Sequence, residues 1–197
     1  MGRFLGFMAS FGGYVKKEGS EIDQTRGSFV LIVKGVDTGM KQPSERPAGG
    51  AEILMETYGN MLFRICLVTL GSQADAEDAV QDTFLRYLQK APPFASAEHE
   101  KAWLIRVATN RCRDMLRTRH VHADLDSVQA YAQDEEDGQA LAALMTLPEK
   151  FRTVLTLHYV EGYRVNEIAD MLGKTASAVK MRLQKGRMLL EEAYRKE

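Results

Sequence analysis

From Glu52 onward, apolar residues recur at steps of three and four: Ile53, Leu54, Tyr58, Met61, Leu62, Ile65 and Leu67. That spacing lays one apolar stripe along one face of an α-helix. Gly71-Ser72 closes the stripe, and a second runs from Ala74 to Lys90 through Ala76, Ala79, Val80, Phe84, Leu85 and Leu88 until Pro92-Pro93 stops it. After a loop from Phe94 to Glu98, a third runs from about Glu100 to Arg119 through Trp103, Leu104, Val107, Ala108, Cys112, Met115 and Leu116, with a basic opposite face. Three such helices predict one small domain over residues 50–120.

Residues 121–138 lose the stripe and carry acids with no Lys or Arg, which predicts a solvated, flexible acidic linker running into the next helix. Its seventeen residues 121–137 would reach about 55 Å at ~3.3 Å each when extended, more than one duplex turn of about 34 Å. A second helical domain is predicted over 139–197: Gln139 to Thr146, a Leu147-Pro148 break, a helix from about Glu149 to Glu161, a Gly162 stop, Arg164 to Leu172, and a final helix starting near Thr175. The expected fold is all-α, two small helical domains joined by a flexible acidic linker. Residues 1–49 have no sustained helical period, only Ser28 to Val33 resembling a short strand; they are expected to be an accessory or non-native extension, poorly ordered. Met40, opening MKQPSERPAGG, is the expected natural start.

The net charge of −1 hides a segregated pattern. Lys101, Arg106, Arg111, Arg113, Arg117 and Arg119 form one basic cluster, opposed only by Asp114; Lys174, Lys180, Arg182, Lys185 and Arg187 form a second with no acid among them. Either can grip phosphates. The acids gather elsewhere, at Asp75, Glu77, Asp78 and Asp82 and again over 124–137. Unbroken apolar runs such as Phe29 to Val33 are too short to cross a bilayer, and glycines interrupt the first residues where a secretory signal needs a long apolar stretch. The expectation is a cytoplasmic protein without membrane insertion, its two cysteines, Cys66 and Cys112, reduced.

Residues 164–190, RVNEIADMLGKTASAVKMRLQKGRMLL, have the form of a helix-turn-helix. Ala169 lets two helices approach, Gly173 permits the turn, and Thr175 is placed to cap the second helix. Val179 and Leu183 point inward, leaving Lys180, Met181, Gln184 and Lys185 outward for the major groove, with Arg182 and Arg187 flanking to hold phosphate.

Residues 52–195 as a whole resemble the extracytoplasmic-function group of sigma factors, the promoter-specificity subunits of bacterial RNA polymerase. DAEDAVQDTFLRYL, 75–88, is similar to the family helix that docks on the polymerase clamp, AWLIRVATNRCRDMLR, 102–117, to its promoter-melting helix, and LPEKFRTVLTLHYVEGYRVNEIADMLGKTASAVKMRL, 147–183, to its C-terminal domain. The resemblance implies that core RNA polymerase is bound through Asp78, Gln81, Asp82 and Phe84. It implies that the first domain opens the minus-ten element and holds it as a single strand, with Trp103, Asn110, Arg113 and Arg117 as the candidate contacts. Trp103 fits a core position as well as a stacking platform, and Phe94 either packs or contacts the strand. The second domain is implied to read the minus-thirty-five element as duplex. An anti-sigma factor is implied as a further partner, and no cofactor or metal. Met181 departs from the small polar residue, and Gly186 from the Ala, that many members carry; the glycine weakens the helix by up to about 1 kcal/mol unless contact with DNA or a partner compensates.

Two other readings compete. An enzyme would need convergence among His99, His120, His122, His158, Cys66 and Cys112, and their spacing matches no zinc site, nor is there a phosphate-binding glycine loop; no catalytic residue is assigned. A conventional helix-turn-helix regulator would act on duplex DNA without being a polymerase subunit.

Overall fold

The computed structural model describes residues 50–118 and 135–195. The expectations for the first 49 residues, including the strand and the Met40 start, lie outside the described residues, as do residues 119–134 with His120, His122 and most of the expected linker.

Three helices build the N-terminal body: α1 (Gly50–Leu70), α2 (Gln73–Lys90) and α3 (Ala97–Thr118), each packed on the other two. Leu62, Ile65 and Leu67 of α1, with Leu104 and Met115 of α3, are fully buried, as the stripes predict; Leu70 and Ile105, outside the stripes, are buried too, and Ile53, inside the first, is exposed at 58%. The helix starts are set locally. The Ser72 hydroxyl accepts from the Asp75 N–H at 3.4 Å, and Ser96 Oγ from the His99 N–H at 3.2 Å. Pro92 and Pro93 follow the last turn of α2 at once.

The membrane expectation needs correction on one point. Ile53–Leu70 is one helix long and apolar enough to cross a bilayer by length and composition, which counting unbroken apolar runs did not reveal; 61% of that stretch is buried inside the protein. Its apolarity has a packing cause, because α1 meets α2 and α3 on one side and the C-terminal body on another.

The C-terminal body comprises α4 (Glu135–Met145), α5 (Glu149–Leu155), α6 (Val165–Leu172) and α7 (Ala176–Tyr194). Helix α4 begins four residues before the expected domain edge, so 135–138 are helix and not linker. The single helix expected over 149–161 also differs. After Leu155 the chain widens into a π-helical turn, Thr156–Val160, closed by the Glu161 N–H on the Thr156 carbonyl at 3.1 Å. Gly162, at φ 76°, then ends it in a conformation side chains disfavour.

The two bodies are in contact. Helix α1 packs on α5 and the π-turn, and α3 packs on α6. Within this seam Arg64 Nε and Nη2 both donate to Glu161 Oε1, at 2.9 and 2.8 Å, with the two side chains 11% and 7% exposed. Buried Arg152 donates through Nη2 to the Thr69 carbonyl and through Nη1 to the Met145 carbonyl, at 2.9 and 3.0 Å. Its positive charge thus lies at the C-terminal ends of α1 and α4, where carbonyl dipoles point outward. Burial pulls the Arg152 guanidinium below its ordinary pKa, opposed by Glu149, but an arginine stays protonated in water-accessible pH ranges.

Candidate nucleic-acid interface

The helix-turn-helix is built by α6 and α7. The Arg164 N–H is capped by the Glu167 carboxylate at 2.6 Å, and Gly173, at φ 60°, turns the chain so that the Lys174 N–H closes on the Ala169 carbonyl at 2.8 Å. Thr175 Oγ1 accepts from the Ala178 N–H at 3.2 Å, the capping expected of it. Ile168, Ala169 and Leu172 of α6 are buried with Val179, Leu183 and Leu190 of α7. The opposite face of α7 is open: Lys180, Gln184, Lys185 and Arg187 are exposed, and so is Met181, at 65%. Arg182 is half-buried at the flank. Arg187 Nη1 donates to the Tyr159 hydroxyl at 3.1 Å, which fixes its direction from the edge of the helix.

Helix α3 carries the other basic face. Arg113 and Arg117 are exposed, and half-buried Asn110 accepts at Oδ1 from Arg113 Nη1 at 3.0 Å. Arg117 lies 3.4 Å from Asp114. Not every arginine of this cluster is free for phosphate. Arg111 pairs with Asp82 of α2 at 2.5 Å, and Arg106 Nη2 donates to the Asp170 carbonyl of α6 at 2.5 Å. Trp103 is half-buried in a ring cluster, edge-on to Tyr87 at 6.0 Å and to Phe94 at 5.8 Å, with Phe94 stacked on Tyr87 at 5.9 Å. Both aromatic residues whose role the sequence left open pack on this cluster with one side while remaining half-exposed. The Tyr87 and Tyr58 hydroxyls donate to the Glu100 carboxylate, which ties the start of α3 to this cluster.

The acidic face of α2 divides similarly. Asp78 is exposed, Gln81 half-buried, and Asp82 engaged by Arg111. Phe84 is 3% exposed and belongs to the core. As a docking contact it is corrected: its side chain holds α2 in place and offers no surface.

Among the described residues no three His, Cys, Asp or Glu side chains converge as metal ligands. The His158 ring bonds the Tyr163 carbonyl at 2.8 Å, while Cys66 and Cys112 are free thiols inside the core. Sequence reasoning missed Arg64, Arg152 and Glu161. The available signal was an arginine embedded in each of two apolar stretches, LFRICLVTL and FRTVLTL, where a charge has to be paired.

Fold and faces together define a two-domain helical protein whose C-terminal half is a helix-turn-helix of the DNA-binding kind. A family model for sigma-70 region 2 matches residues 54–121, and one for sigma-70 region 4 matches residues 137–190. The chain is 30% identical to the ECF RNA polymerase sigma factor SigM of Mycobacterium tuberculosis, over 70% of this chain and 73% of that protein. It is 29% identical to SigW of Bacillus subtilis, over 72% of this chain and 87% of that protein, and 28% identical to SigE of Mycolicibacterium smegmatis, over 84% and 75%. In fold it is similar to CnrH in complex with the cytosolic domain of CnrY (TM-score 0.57, 23% identity, 85% of this chain and 94% of that one). It is also similar to the sigma factor RpoE in complex with the anti-sigma factor NepR from Bartonella quintana (TM-score 0.61, 19% identity, 75% and 98%). The chain belongs to the extracytoplasmic-function group of sigma factors. A match to both regions, in that order, favours this over the conventional regulator.

Proposed function

We propose that the protein joins core RNA polymerase in the cytoplasm and directs initiation, the polymerase supplying all catalysis. The N-terminal body, residues 50–120, docks through the acidic face of α2 with Asp78, Gln81 and Asp82, and captures the unwound minus-ten strand with Asn110, Arg113 and Arg117 of α3. The C-terminal body, from α4 onward, lays α7 in the major groove of the minus-thirty-five element. Lys180, Met181, Gln184 and Lys185 meet base edges there, and Arg182 and Arg187 hold phosphate. No cofactor or metal enters this mechanism. An anti-sigma protein is the expected regulator, since both structural relatives were solved with another protein bound, one of them a named anti-sigma factor.

The observation that carries the reading is the division of α7, with Val179 and Leu183 buried while Lys180, Met181, Gln184 and Lys185 stand exposed on the other side. Such a helix is held firmly by one face and leaves donors and an apolar tip for base edges on the other. Run-off transcription from genomic promoter fragments with purified core polymerase tests it. Initiation from a defined subset of fragments is expected, and duplex binding without initiation would favour a conventional regulator.

A further inference from the structure

We infer that Met181 is a reversible oxidation site on the reading face of α7, where an oxidant of the peroxide class converts its thioether to a sulfoxide and changes which upstream elements the protein prefers. That role rests on the reading of α7 proposed above and adds a regulation to it. Access singles the residue out. Among the described residues Met61, Met115, Met145 and Met171 are buried in the core and Met55 is half-buried, whereas Met181 and Met188 stand 65% and 58% exposed on α7. A dissolved oxidant meets these two sulfurs first. The thiols compete poorly. A cysteine reacts as its thiolate, and Cys66 and Cys112 are both buried, with hydrogen bonding to Cys112 and then burial pushing the Cys66 thiol well above its ordinary pKa. A thioether has no proton to lose, so access governs its reaction.

Position gives the oxidation a consequence. Val179 and Leu183 are buried on one side of α7, and Met181 shares the opposite, exposed side with Lys180, Gln184 and Lys185. In the reaction the sulfur lone pair attacks one peroxide oxygen: an S–O bond forms, the O–O bond breaks, and the departing oxygen takes up a proton and leaves as water. Sulfur gives up two electrons and the peroxide gains them. The charge of the face is unchanged, but an apolar tip suited to a thymine methyl now carries an acceptor oxygen. Thymine presents only its methyl and an acceptor in the major groove, so the sulfoxide sheds water there without gaining a donor; adenine and cytosine each present an amino group that can donate to it. Oxidation should therefore shift base preference away from thymine at that position and leave the phosphate contacts alone. Sulfoxide reductases reverse the step, two thiols becoming a disulfide while the oxygen departs as water. Met188 is an internal control. It is nearly as exposed but lies seven residues on, about 10 Å further along the helix axis and outside the reading set.

Graded treatment of the full chain with hydrogen peroxide, stopped with catalase, tests this. Peptide mapping should find sulfoxide at Met181 and Met188 before the buried methionines. Affinity for a duplex carrying the preferred upstream element should fall about fivefold or more, as for one lost base contact, with the largest loss at a thymine position. The salt slope and the thermal midpoint should stay as they were, because neither charge nor core has changed. Sulfoxide reductases of both epimer specificities, with dithiothreitol, should restore binding. Measured against its own untreated form, M181L should lose no more than about twofold on oxidation, since leucine has no sulfur to oxidise, whereas M188L should respond as the unmodified chain does. Three results overturn the inference: Met181 stays reduced while Met188 is oxidised, sulfoxide at 181 leaves binding and base preference unchanged, or M181L loses affinity as the unmodified chain does. Failure of the underlying reading shows itself earlier, in untreated protein. If K180A, M181A and Q184A all keep the sequence preference of the unmodified chain before any oxidant is added, α7 is not the reading helix and the regulation falls with it.

Discussion

Gly186 of α7 lies against Leu155 of α5 so closely that a Cβ added to it would meet Leu155 Cδ1 at 3.2 Å and Phe151 Cβ at 3.4 Å. The glycine expected to weaken the helix unless DNA or a partner compensated is compensated inside the protein: the missing methyl lets two helices approach. G186A would gain up to about 1 kcal/mol of helix propensity. Overpacking a tight core costs about 1–3 kcal/mol, and Leu155 is fully buried. The net expectation is a loss of about 1 kcal/mol, read as a lower midpoint in chemical denaturation. A higher midpoint would mean that Leu155 moves aside freely.

Phe84 and Asp78 are both on α2, yet replacing them should have different consequences. Phe84 is 3% exposed, so F84A should cost about 3–5 kcal/mol of stability and lower polymerase binding only as far as the protein unfolds. Asp78 is exposed, so D78A should leave the melting temperature within a degree or two and weaken binding to core enzyme. Thermal melts paired with polymerase pull-down separate the two. Equal stability loss in both variants would remove Asp78 from the docking surface.

The three N-terminal helices and the helix-turn-helix were legible because apolar periodicity reports burial on a helix directly, as the buried Ile65, Leu104 and Val179 show. Phe84 stands in the apolar stripe of α2, so its burial was legible there, and similarity to a functional helix says nothing about which way a side chain faces. Glu161 was illegible for another reason. Its partner Arg64 lies 97 residues away, and only the π-turn and Gly162 bring the two together. Local pattern carries no information about such a meeting. Arg111 and Asp82 were read as belonging to separate basic and acidic faces, whereas the packing of α2 on α3 makes them a pair.

Tyr163 and Tyr58 predict the response to alkaline pH. Burial pushes the Tyr163 hydroxyl well above its ordinary range, with Glu161, Glu98 and Glu167 adding to the effect; burial and then Glu100 push Tyr58 the same way. A raised tyrosine pKa means that above about pH 10 the folded protein keeps a proton that the unfolded chain has released. Stability therefore falls as pH rises past that point and is unaffected near neutrality. The Tyr163 hydroxyl also has no hydrogen-bond partner among the described residues. Y163F should thus be neutral or stabilising at pH 7, by up to about 1 kcal/mol, and should flatten the decline measured by urea denaturation between pH 8 and 11. A slope unchanged from the unmodified protein would show that Tyr163 loses its proton as readily folded as unfolded.

The outward residues of α7 should divide into those that read bases and those that hold phosphate. Lys180, Gln184 and Lys185 stand on the face opposite Val179 and Leu183, so K180A or Q184A should cost about 1–3 kcal/mol on the preferred upstream element and relax discrimination at one or two base pairs. Met181, 65% exposed between them, has no hydrogen bond to donate, and an apolar side chain in the major groove distinguishes thymine by its methyl group. M181A should therefore lose preference at a thymine position while leaving the salt dependence of binding as it was. Arg187 is held at the edge by Tyr159. R187A should weaken binding to all sequences alike and reduce the salt slope by about one unit, as expected when one phosphate contact is lost. The measurement is binding of the full chain to duplexes differing by single base pairs at several salt concentrations. If substitutions at 180, 181, 184 and 185 leave the sequence preference untouched, α7 is not the reading helix, however well its charge and exposure suit the task.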